Sequence, residues 1–184
     1  MNHYRLAVLL VEFPDTPASY APADFEQMLF SEGYTYVSPA PGEPAFGSLR
    51  DYYLAMSNGM LSVTGQAFNW VQADSNKSYY ERHGNLRFEA INKSGVSLAD
   101  FDGYVVIYAG TVGPSGSNLW PQAFSTGGKL HYVMSEKWLS RYEFAPIGVH
   151  CHEFGHLLGL PDFQLAGRGP VVHDEHGKLR QWFS

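Results

Sequence analysis

The sequence predicts an α+β fold: a mixed, twisted sheet with helices, one of which carries metal-binding side chains. Three observations point there. Two near-continuous apolar runs, Leu6 to Val11 and Tyr104 to Tyr108, read as buried strands. Stretches of helical periodicity alternate with them. Near the C-terminal end, His152-Glu153-Phe154-Gly155-His156 lies in a helical pattern, with two histidines four residues apart.

Taken in order, Tyr4 to Phe13 is a central strand, broken by Pro14-Asp15-Thr16-Pro17. Asp24 to Phe30 is a short helix, and Ser31 to Gly47, rich in Gly, Pro and Ser, is an irregular loop. Ser48 caps a helix running to Met56, with Asp51 three residues on completing the capping box. Asn58-Gly59 ends it, and a strand or hairpin follows from Leu61 to about Val71. Tyr79 to Gly84 and Arg87 to Lys93 are helical pieces. Asp102-Gly103 turns the chain into the second buried strand, and Gly110 to Asn118 is a loop. Lys129 to Ser135 alternates enough to be an edge strand. No internal repeat or linker appears, so residues 1–184 are expected to form one domain.

The last helix runs from about Pro146, placed at its first position, to Leu158. Ile147, Cys151, Phe154 and Leu158 make a buried stripe, with His152, His156 and Val149 on roughly the opposite side. The full pattern is H-E-x-x-H-x-x-G-x-x-D. Residues four apart share a helix face, so both imidazoles can reach one ion. Glu153 stands beside them as a general base for a water on that ion. Gly159 can end the helix in a left-handed turn, returning Asp162 as a third ligand. Three protein ligands and one open position describe a catalytic zinc (Zn2+) site.

Composition narrows the alternatives. At 184 residues and 45% hydrophobic content, the chain can bury a real core. Net charge is −6 and no basic cluster exists, which argues against nucleic-acid binding. No apolar run approaches a membrane span, and Leu6 to Val11 is too short for a signal-peptide core. The single cysteine, Cys151, forms no intrachain disulfide; it belongs to the buried stripe and points about 100° away from His152, which disfavours a ligand role.

HEFGHLLGLPDF at His152 to Phe163 resembles the immune inhibitor A family of secreted zinc metallopeptidases, within the zincin group. So do LLVEFPD at Leu9 to Asp15, SLRDYYLAMSNGMLSVTG at Ser48 to Gly65, and FDGYVVIYAG through LWPQAF between Phe101 and Phe124. The resemblance implies a zincin-like N-terminal lobe, His152 and His156 as zinc ligands, Glu153 as general base, a protein or peptide substrate, and an extracellular location. By the family's pattern, Asp162 takes the place of an aspartate ligand. The family continues into a methionine-containing turn and a second lobe. Here Met134 is the last methionine, so the C-terminal lobe is expected to be truncated or absent.

The expected activity is zinc-dependent endopeptidase. The alternative is a non-catalytic zinc- or peptide-binding relative, or an inactive fragment. Peptide deformylases share H-E-x-x-H but use an upstream cysteine, and the only cysteine here abuts the motif. His173 and His176 could clip a second ion, although a solvated polar tail fits that segment better. Asp100 and Asp102 read as turn residues rather than calcium ligands. The Lys129 to Ser135 strand could pair with substrate backbone.

Overall fold

The protein is described by a computed structural model covering residues 1–36, 45–138, 144–161, 171–173 and 179–181. The elements are β1 (Asn2–Glu12), α1 (Pro22–Phe30), β2 (Thr35–Tyr36), β3 (Ala45–Phe46), α2 (Leu49–Met56), β4 (Leu61–Ala67) and β5 (Val71–Gln72). Then come α3 (Lys77–Arg82), α4 (Leu86–Ser94), a 3-10 turn (Leu98–Asp100), β6 (Gly103–Thr111), β7 (Gln122–Thr126), β8 (Lys129–Lys137) and α5 (Ile147–Leu157). Two short strands, β9 (Val171–His173) and β10 (Leu179–Gln181), pair with each other.

The main sheet is mixed, in the order β4-β1-β6-β8-β7, with β5 continuing beside the end of β1. β1, β4, β6 and β8 run parallel, and β7 is antiparallel to β8. The apolar runs at Leu6 to Val11 and Tyr104 to Tyr108 form β1 and β6, two of the strands flanked on both sides. A strand enclosed by neighbours and covered on both faces has no polar side to alternate, which is why these runs are continuous.

The pleat sends alternate residues to two cores. Leu6, Val8 and Leu10 of β1, with Val105, Ile107, Tyr132 and Met134, meet Phe25, Met28 and Leu29 of α1, Leu49 and Tyr53 of α2, and Phe154 and Leu157 of α5. Ala7, Leu9 and Val11, with Tyr104, Val106 and Val133, meet Tyr80 of α3 and Leu86 and Ala90 of α4. Helices therefore cover both faces, and α5 lies on the face shared with α1 and α2.

The expected capping box is present: Asp51 N donates to Ser48 Oγ at 3.1 Å, and Ser48 N donates to Asp51 Oδ2 at 3.0 Å. Two expectations are corrected. Lys129 to Ser135 is not an edge, because β7 pairs along β8 on the side away from β6. The run from Leu61 to Val71 is neither one strand nor a hairpin; it is β4 and β5 in succession, both parallel to β1. Phe68 N donates to Val8 O at 3.0 Å in the break between them.

Candidate active site

The helix α5 begins at Ile147, one residue later than expected, with Pro146 as its extended N-cap. It rests on β7, β8 and α2. Its anchor is Phe154, fully buried, which meets the rings of Tyr4 and Tyr53 edge-on, each with its centroid 4.9 Å away. Cys151 and Leu157 are buried beside it, as the stripe predicted for Cys151. Val149 is not on an open face with the histidines; it is buried in the same core. It lies about 60° around the helix from His152, and the seat of α5 wraps more than half its circumference.

The remaining sector carries the two histidines, both half-buried. Their rings stand perpendicular, at 83°, with centroids 4.7 Å apart. The Nε2 atoms face each other at 3.2 Å. With zinc–nitrogen bonds of about 2.0–2.1 Å, that separation would subtend about 100–105° at an ion, close to tetrahedral. The donor pair therefore fits zinc. Leu160 O lies 2.8 Å from His156 Nδ1. A proton on Nδ1 donating to that carbonyl leaves the Nε2 lone pair free for a metal.

That carbonyl is delivered by the helix end. Gly159 adopts φ +84°, as the sequence predicted. Leu160 N donates to Gly155 O, and Gly159 N to His156 O, both at 3.0 Å. These two bonds form a Schellman motif, which turns the chain back over His156.

Glu153 follows His152 directly in α5 and is buried at 5% exposure. Asp162, the third expected ligand, lies outside the described residues. Among the described residues, no group of three His, Cys, Asp or Glu side chains gathers to hold a metal. The side chains of His173 and His176 also lie outside them. Burial pushes the Cys151 thiol far above its ordinary pKa, consistent with packing rather than ligation. Asp102 Oδ2 accepts from Arg5 N at 2.7 Å in the turn before β6.

Sequence reasoning missed several buried polar groups. His150 is fully buried, with Nδ1 3.0 Å from the Tyr132 hydroxyl, and burial pushes its pKa down to about 3. On the other face of the sheet, His131 stacks between Tyr104 and Phe124, with centroids 4.4 and 5.4 Å away. Glu136, fully buried near the end of β8, accepts from Gly110 N at 2.9 Å and Ser19 N at 3.0 Å.

A helix seated on a mixed sheet thus brings two imidazoles face to face, with a buried carboxylate residue next to one of them in sequence. The chain belongs to the immune inhibitor A peptidase M6 family, whose catalytic-domain model matches residues 3–100. That match lies upstream of α5, so family membership rests on β1, β4, β5 and α1 to α4, independently of the histidine motif. The chain is also similar to the pre-pro-metalloprotease PrtV of two Vibrio cholerae serotype O1 strains, M66-2 and El Tor Inaba N16961. Identity to each is 26% over 243 residues, covering 91% of this chain and 26% of the relative. The chain thus spans about a quarter of the length of these curated relatives. Among the described residues, no helix is long and apolar enough to cross a membrane.

Proposed function

We propose that this chain carries the catalytic centre of a zinc-dependent endopeptidase. The observation that supports it most is the pair of Nε2 atoms 3.2 Å apart, one of whose rings is oriented by Leu160 O. His152, His156 and Asp162 would hold the ion. The Leu160 carbonyl, two residues before Asp162 in sequence, lies 2.8 Å from His156 Nδ1. Bound there, zinc would polarise a peptide carbonyl and acidify a water molecule. The Glu153 carboxylate takes the proton from the attacking water and returns it to the leaving amine. Its 5% exposure keeps it in a weakly screened setting.

The substrate is a protein or peptide. Its backbone has a docking edge in β7, the outer strand beside α5, in place of the strand the sequence suggested. Residues 1–184 act as one peptidase domain, and an extracellular location is in keeping with relatives named as pre-pro proteins. The test is metal analysis together with cleavage of an unstructured protein by the native chain and by Glu153→Gln. One zinc per chain is expected in both, with hydrolysis lowered at least about 100-fold in the variant. Zinc binding without hydrolysis by the native chain would favour the non-catalytic relative, and no zinc at saturation would end the metallopeptidase reading of this chain.

A further inference from the structure

The two residues just before His152 are each held by a buried phenol, and the two phenols come from different elements. Tyr53 of α2 donates its hydroxyl to the Cys151 carbonyl at 2.6 Å. Tyr132 of β8 places its hydroxyl 3.0 Å from His150 Nδ1. Both tyrosines belong to the core under α5. The Tyr53 contact depends on Gly155, one turn along: a Cβ there would stand 3.1 Å from the Tyr53 hydroxyl. The glycine inside the histidine motif therefore makes the notch through which the phenol reaches the helix backbone.

Packing alone does not require these hydroxyls. Phenylalanine would fill both places, and burying a hydroxyl or imidazole is unfavourable unless it gains a hydrogen bond. His150 Nε2 has no hydrogen-bond partner among the described residues, so this polar seat is not the one most favourable for stability. What it adds is direction. An imidazole Nε2 lies roughly 6–7 Å from the helix axis, so a 10° roll of α5 moves it by about 1 Å. Zinc–ligand distances tolerate about 0.2 Å. Apolar contacts are non-directional and permit such a roll. Two short hydrogen bonds, one from the helix layer and one from the sheet, do not.

We propose that Tyr53 and Tyr132 are positioning residues that fix the roll of α5 on the sheet and so set where its two imidazoles, which move together, present an ion to the rest of the site; this rests on the zinc reading above. The test uses Tyr53→Phe, Tyr132→Phe and the double variant, all retaining the rings. Zinc affinity is measured by chelator competition, and the visible spectrum of the cobalt(II)-loaded protein reports ligand geometry. Each single variant should fold, bind zinc about tenfold more weakly and show altered cobalt bands, as supporting-shell changes do. A second arm covers failure to fold: Gly155→Ala should weaken zinc in the native background and have little further effect in Tyr53→Phe. Unchanged affinity and spectrum in the folded Phe variants, or additive effects of Gly155→Ala and Tyr53→Phe, would overturn this proposal and leave the peptidase reading standing. Absence of zinc from the native chain would overturn both.

Discussion

Replacing Gly159 by alanine isolates how the helix end supports His156. The residue sits at φ +84°, and an added Cβ meets nothing within 4 Å. No collision therefore enters, and the cost is that of a left-handed L-residue, about 1–2 kcal/mol. Alanine also restricts the unfolded chain, which returns about 0.4–1 kcal/mol. The net loss is about 1 kcal/mol, or a fall of about 2–4 °C in Tm for a domain of this size. If the turn relaxes to relieve the strain, the two capping bonds at 3.0 Å and the 2.8 Å contact of Leu160 O with His156 weaken together. Zinc affinity should then fall about tenfold, the scale of losing a ligand's hydrogen-bonded support. Gly159→Asn, which tolerates this conformation better, should lose less of both. The assay is thermal melting without metal plus chelator competition. Wild-type behaviour of the alanine variant in both measurements would refute the role given to this turn.

Two further outcomes follow from the buried polar groups. Glu136→Ala removes the acceptor of two backbone N–H groups and should cost about 2 kcal/mol in urea unfolding, with Glu136→Gln losing less; equal stability of all three proteins would show that the carboxylate pins nothing. Burial lowers the His131 pKa to about 4, below its unfolded value, so between about pH 6.5 and 4 the unfolded chain binds the extra proton and stability falls as pH falls. His131→Phe keeps the ring between Tyr104 and Phe124 and should reduce the slope of the metal-free melting profile across that window, the remainder including buried His150, an idea that an unchanged slope would reject.

The parts of the fold legible in the sequence are those where local pattern and tertiary burial coincide. β1 and β6 are apolar throughout because both faces are covered, and the histidines share a sector because helical period alone dictates it. The edge was misread because β7 is short and half-buried, with no clean alternation in Gln122–Thr126. A usable signal was nonetheless present. Gly127 and Gly128 adopt φ +58° and +79°, the paired positive values of a two-residue hairpin, and Gly-Gly between strands is a recognised mark of one. The Tyr132–His150 contact spans 18 positions and depends on how deeply α5 sits on β8, which no local pattern encodes. The same is true of Glu136, whose partners at Ser19 and Gly110 arrive from the loop after β1 and from the end of β6.

The geometry at the histidines is consequently not a property of the motif. An isolated helix of 11 residues is marginal in water even for alanine-rich sequences. α5 includes Gly148 and Gly155, each about 1 kcal/mol less favourable than alanine, together with the β-branched Ile147 and Val149. Left to its own propensities this segment would not hold two imidazoles at a fixed separation. It does so because Phe154 is wedged between Tyr4 and Tyr53 and the helix is bedded on β7 and β8. The family match, confined to residues 3–100, lies on part of that supporting structure, in β1 and α2 among others. Residues remote from the motif, on α2 and β8, therefore belong to the proposed site in the same physical sense as the two histidines: they help determine where the imidazoles point.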